Sequence, residues 1–145
     1  MAFVQDGFET YQKRLVHYAS FQCETLADVK NAGNLTAEKL KEKEAEAILN
    51  RLNKNDFLVL LDEKGQILSS EKFAAQLEKW QNHLSGDLVF QIGGAFGFAE
   101  AVYQRANYSL SLSAMTFNHQ LVRLIFVEQL YRAFTIIKNE SYHHA

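Results

Sequence analysis

Apolar residues at the start of the chain fall at helical spacing. Phe3, Val4, Phe8, Tyr11, Leu15 and Tyr18 lie three or four positions apart, which predicts an amphipathic helix over 3–18, weakened at Gly7. The mixed stretch FQCETLADV (21–29) reads as a strand. Asn34 or Thr36 can cap a helix over 37–53, whose Lys and Glu (Lys39, Lys43, Glu42 and Glu46 among them) form a solvated outer face rather than a site. DFLVLLD (56–62) is a short apolar run between polar ends, the pattern of a strand covered on both faces. A turn at Glu63–Gly65 then leads to a helix over 70–84, capped by Ser70, with Phe73, Leu77, Trp80 and Leu84 on one face. DLVFQI (87–92) reads as a second buried strand, and a helix over about 98–106 follows a glycine-rich loop. SLSLSAM (109–115) alternates polar and apolar residues and reads as a short strand running into a loop. The last helix, 119–137, is apolar on nearly every side and is expected to be buried all round, with a second copy of the chain as part of its cover.

Strand and helix alternate, so the expected class is α/β with a mostly parallel sheet. Ligands bind such sheets outside the carboxyl ends of the strands, which makes Leu61–Asp62, Ile92–Gly97 and Leu112–Phe117 the candidate site. A length of 145 residues suits one domain, 1–145, and 48% hydrophobic residues exclude a disordered chain. The longest strongly apolar run, Leu124 to Val127, is far too short to cross a membrane, and the first residues, with Asp6 and Glu9, do not resemble a secretory signal. A lone cysteine, Cys23, expected in a strand, cannot form an internal disulfide; a cytoplasmic location fits. The net charge of −2 argues against holding naked nucleic acid by charge alone. Cations are relatively enriched after position 104, where Arg105, Arg123, Arg132 and Lys138 face only Glu128 and Glu140, so an anionic partner would meet the C-terminal end. Proline is absent, so element boundaries must be read from Gly, Asn, Ser and Asp.

Three of the seven glycines fall within QIGGAFGF (91–98), at positions 93, 94 and 97. GGAFG is neither GxGxxG nor a GxxxxGK[ST] phosphate loop, so a dinucleotide oxidoreductase is disfavoured, and taken alone the loop is better explained by plain turn chemistry than by a cofactor site. IGGAFGF, followed by SLSAMTFNHQLVRLIFVEQLYRAFTI and closed by YHH, resembles the RlmH family of the SPOUT methyltransferases, and the resemblance runs from about Phe3 to the end. It implies an α/β-knot fold, with a trefoil knot in the C-terminal segment, and a homodimer whose subunits both contribute to the site. The implied reaction is S-adenosylmethionine-dependent methylation at N3 of a pseudouridine in 23S ribosomal RNA, within the assembled ribosome. By the same resemblance Leu61, Gly93, Leu112, Ser113, Ala114, Met115, Thr116 and Phe117 are the cofactor-binding positions. Tyr142, His143, Arg132 and His119 are the substrate-side positions.

That reaction requires removal of a proton from a weakly nucleophilic nitrogen, which suits histidine near neutral pH. His143 is the candidate base, Arg132 a clamp for phosphate or a base carbonyl, and Tyr142 a stacking or hydrogen-bonding surface. Arg132 is equally placed to pair with Glu128 four residues earlier, His119 to open the last helix, and His143 and His144 to lie in a frayed terminus. No metal site is expected from these histidines. Trp80 and the phenylalanines are expected in the core. The chain departs from the family in three places: it begins at the helix that follows the family's first strand, Ala95 and Phe96 replace the proline and acid of GGPEG, and Asn118 and Gln120 stand where prolines are common. Losing that acid removes a charge that could face the cofactor's sulfonium. The rival reading is a non-catalytic ribosome- or RNA-binding dimer that keeps the fold.

Overall fold

The computed structural model describes residues 1–144. Strands β1 (Phe57–Ile67), β2 (Leu88–Ile92) and β3 (Tyr108–Ser111) form a parallel sheet in the order β2-β1-β3. Helices α1 (Ala2–Leu15), α3 (Ser70–His83) and α5 (His119–Ile137) cover one face, and α2 (Ala37–Arg51) and α4 (Glu100–Arg105) the other. The alternation of side chains along a strand divides β1 between these layers. Val59 and Leu61 enter the larger core with Phe73, Leu77, Phe126 and Leu130, while Leu58 and Leu60 pack with Ala45, Ile48 and Val102. Because both faces are covered, the run Leu58–Leu61 is continuously apolar and fully buried.

Several expectations shift in detail. Ser69, not Ser70, caps α3, accepting from the Lys72 amide; Ser70 donates instead to Gln129 of α5. Thr36 caps α2 by accepting from the Lys39 amide. The expected turn at Glu63–Gly65 lies inside β1 as a bulge, because Leu61 and Gln66 both align with Leu110 of β3. Gly65 is required there, since a Cβ would sit 2.6 Å from the Ser109 carbonyl. Residues 21–29 form no strand: no sheet partner lies beside them, and Glu24 ties the segment to α2 through a bidentate ion pair with Arg51. Cys23 is therefore an exposed residue in irregular chain. Phe3 and Phe96 depart from the core assignment, at 63% and 56% exposure, whereas Trp80 is buried against Phe57, Phe90 and Tyr108.

Helix α5 is not buried all round within one chain. Phe126, Val127, Leu130, Ala133 and Phe134 are buried, but Leu121, Val122, Leu124 and Ile125 stay only half-covered. Gly7 has a packing reason: a Cβ there would meet the Leu124 side chain at 2.8 Å, so the glycine lets α1 and α5 approach.

Candidate active site

The three strand ends open onto one cavity of about 380 Å³. Leu61, Asp62 and Glu63 come from β1, Ile92 to Gly94, Ala95, Gly97 and Phe98 from the loop after β2. The third wall is the segment after β3, with Leu112, Ser113, Met115, Thr116 and Phe117, closed by Asn118, His119 and Val122 at the head of α5. Of the residues expected to hold a cofactor, all line this cavity except Ala114, which is exposed beside it. Ala114 lies in the tight turn that Ser113 organises. Ser111 donates to the Ser113 carbonyl at 2.8 Å, and the Ser113 hydroxyl accepts from the Met115 amide at 3.0 Å.

Backbone turns, more than side chains, shape the cavity. Gly97 sits at φ +81°, where L side chains are strained, and its amide donates to the Gly94 carbonyl at 3.2 Å. Gly93 admits the Phe98 ring, which a Cβ would meet at 3.0 Å. Thr116 donates to Glu63 at 2.8 Å, lacing the β1 end to the β3 loop, and Asn118 caps α5 through the Gln120 amide. Asp62 accepts from the Tyr103 hydroxyl and the Lys64 amide. Burial and that carboxylate push the Tyr103 phenol up to about 12, so it stays a donor to Asp62.

The lining has a clear electrostatic sign: Asp62 and Glu63 contribute carboxylates, and no Lys or Arg is among its residues. Such a wall offers nothing to a pyrophosphate and suits a ligand with a positive centre. Leu61, Leu110, Leu112, Phe98 and Val122 provide apolar cover for a flat heterocycle. A nucleoside sulfonium fits these residues.

Arg132, Tyr142 and His143 come together elsewhere, on the flank of α5. None of them lines the cavity, and Arg132 is thirteen positions beyond His119 on the same helix, about 20 Å along its axis. Arg132 donates to Glu128 and, at 3.0 Å, to His143 Nδ1. Tyr142 donates to Glu128 at 3.1 Å and meets the Tyr11 hydroxyl at 3.0 Å, while the Arg132 guanidinium lies over the Tyr142 ring at 4.8 Å. His143 Nε2 is 2.8 Å from Glu71 of α3. Because arginine has no acceptor, His143 Nδ1 must accept, which leaves Nε2–H to donate to Glu71. The tail is therefore docked rather than frayed, with the His143 side chain 16% exposed. Glu128 holds the Arg132 guanidinium above its usual range, burial together with the Tyr11 hydrogen bond raises Tyr142, and the His143 contact lowers Glu71.

The sequence reading missed Tyr11 and Glu71, whose roles arise only from helix packing. His119, by contrast, lies at the cavity and apart from the other substrate-side candidates. Among the described residues no group of His, Cys, Asp and Glu could hold a metal ion, and no helix is long and apolar enough to cross a membrane.

Comparison with known proteins agrees with this architecture. Residues 1–143 match the family described as "Predicted SPOUT methyltransferase". A Parabacteroides distasonis protein is 50% identical over 139 residues, covering 96% of this chain and 88% of its own length. A Flavobacterium johnsoniae protein is 50% identical over 141 residues (97% and 90%), and one from Cytophaga hutchinsonii 48% over 143 residues (99% and 92%). All three are named "Ribosomal RNA large subunit methyltransferase H". With a parallel sheet, a glycine-lined cavity at its carboxyl edge and a family match over nearly its whole length, the chain belongs to the SPOUT methyltransferases.

Proposed function

We propose that the protein transfers a methyl group from S-adenosylmethionine to N3 of a pseudouridine in 23S ribosomal RNA, as a cytoplasmic homodimer acting on the assembled ribosome. The observation that carries this reading is the cavity at the three strand ends: it is bounded by glycine-containing turns, carries Asp62 and Glu63 but no Lys or Arg, and is lined by all the positions the family resemblance assigns to the cofactor except Ala114. Bound S-adenosylmethionine would supply an electrophilic methyl on a cationic sulfur. Leu61, Leu112 and Phe117 would cover the adenine, and Gly93 and Gly94 let the main chain approach it without obstruction. The family's trefoil knot belongs to this reading, as the route by which the 112–117 segment is brought beside the glycine loop.

His143 removes the N3 proton, through the Nδ1 lone pair that Arg132 now occupies. Glu71, bonded to Nε2–H, orients the ring and stabilises the imidazolium that forms. Arg132, released from His143, clamps a phosphate or the base carbonyl, still braced by Glu128. Tyr142 presents its ring beside that guanidinium as a surface for the base. The separation of this cluster from the cavity supports a site completed by a second chain. The half-covered apolar start of α5 supplies the surface on which a second copy brings its tail to the cavity. The test is methyl transfer from labelled S-adenosylmethionine to ribosomes lacking the modification, with free ribosomal RNA as comparison. Incorporation into ribosomes is expected; a folded protein that labels neither substrate overturns the proposal in favour of a binding dimer.

A further inference from the structure

Glu44 is an anomaly on α2. Its helix was expected to turn its charges to water, and most of them do so. Glu44 instead lies one turn from both Leu40 and Ile48, on the stripe that faces the protein, and is half-buried. Its carboxylate presses on the outer side of the glycine loop: a Cβ on Gly94 would lie 2.3 Å from Glu44 Oε2. Oε1 is buried without a hydrogen-bond partner, and Glu44 takes part in none of the salt bridges among the described residues. An ionised oxygen held that way is costly, and desolvation raises its proton affinity accordingly. Nothing in the folding of α2 calls for the charge, since a methionine or leucine would satisfy the same stripe.

The other side of the same glycine lines the cavity. Glu44 itself does not line the cavity, so its carboxylate reaches it from behind Gly94, and a cation bound there would be the counter-charge it lacks. We infer that Glu44 is an electrostatic positioning residue for the cofactor: through the bare Gly94 backbone it favours a nucleoside bearing a sulfonium over the neutral sulfide left after methyl transfer. This rests on the reading of the cavity as an S-adenosylmethionine site. Asp62 and Glu63 add charge of the same sign, but each is engaged by a neutral donor, Tyr103 or Thr116, whereas the Glu44 carboxylate has no such hydrogen bond at Oε1. Its position also answers the loss of the acid at Phe96, since the negative charge near the loop comes from behind rather than from its tip. Binding would then favour the cation, and discharge of the sulfur on transfer would loosen the product.

The test is calorimetric titration of the full chain with S-adenosylmethionine and, separately, S-adenosylhomocysteine, in wild type, Glu44→Gln and Glu44→Leu. A unit charge acting across one layer of backbone at an intermediate dielectric changes affinity by about tenfold. Both variants are expected to lose about tenfold for the sulfonium while the sulfide changes less than about twofold. The leucine variant needs no hydrogen-bond partner, so it serves if the glutamine variant does not fold. An unchanged ratio of the two affinities, or equal losses for both ligands, overturns the inference and leaves Glu44 a packing residue. Wild type that binds neither nucleoside overturns the reading of the cavity itself, a failure distinct from that of Glu44.

Discussion

The cavity at the strand ends and the cluster on the flank of α5 are built by opposite means. The first is made of turns: Gly93, Gly94 and Gly97, the Ser113 turn and the Asn118 cap shape it. The second is made of side chains that hold one another, with Glu128 bracing Arg132 and Tyr142, and Arg132 and Glu71 gripping His143. A main-chain pocket is damaged by adding atoms, whereas a side-chain network is damaged by removing them. On the proposed reading the division follows the chemistry, because a methyl donor needs shape and a field, while proton removal needs a base held in one tautomer.

Substitutions can separate the two. The largest effect is expected for His143→Ala, which should reduce methyl transfer by about 10²–10⁴-fold while leaving S-adenosylmethionine affinity within about twofold, as single-turnover assays and calorimetry would show. A matching loss of affinity would mean that the tail helps form the cofactor pocket. Gly94→Leu should do the reverse: forcing a side chain between the cavity and Glu44 costs about 2–3 kcal/mol, or about 30–150-fold in cofactor affinity. Glu128→Gln should lower turnover by about tenfold, the worth of one charge-assisted hydrogen bond, with cofactor binding unchanged. The smallest change concerns stability. The fold raises the Glu44 carboxyl by desolvation, so its ionised form opposes folding above the folded value, and that penalty disappears as pH falls below the ordinary carboxylate value. Unliganded Glu44→Gln should therefore melt about 2 °C above wild type at pH 7, and the two curves should converge near pH 4. A gap that persists at pH 4 would show that ionisation is not its cause.

Much of this was legible in the chain, because the informative signals were local. Leu58–Leu61 announces a doubly covered strand by unbroken apolarity, and the cluster at 93–97 announces a turn at its neighbour's end. The strand-end location of the cavity followed from the parallel sheet, its individual residues came from the family resemblance, and nothing local pointed to Tyr142 or Arg132 as a pair. What escaped was non-local. Residues 21–29 have the composition of a strand, but a strand requires a partner, and only an ion pair to Arg51 meets them. The bulge in β1 looked like a turn because Gly65 marks both, and the pairing to Leu110 that distinguishes them lies 45 positions further along the chain. Glu44 was hidden by its company: charge counts describe the whole face of α2, whereas its four-residue spacing from Leu40 and Ile48 carries the signal.

A site shared between two copies is tested most directly by mixing two impaired variants, Gly94→Leu, with an intact tail and a spoiled cavity, and His143→Ala, with the converse. If each cavity is completed by the tail of the other copy, mixed dimers hold one working site, and an equilibrated equal mixture should recover about a quarter of wild-type methyl transfer. No recovery, with mixed dimers demonstrated by mass spectrometry, would contradict it.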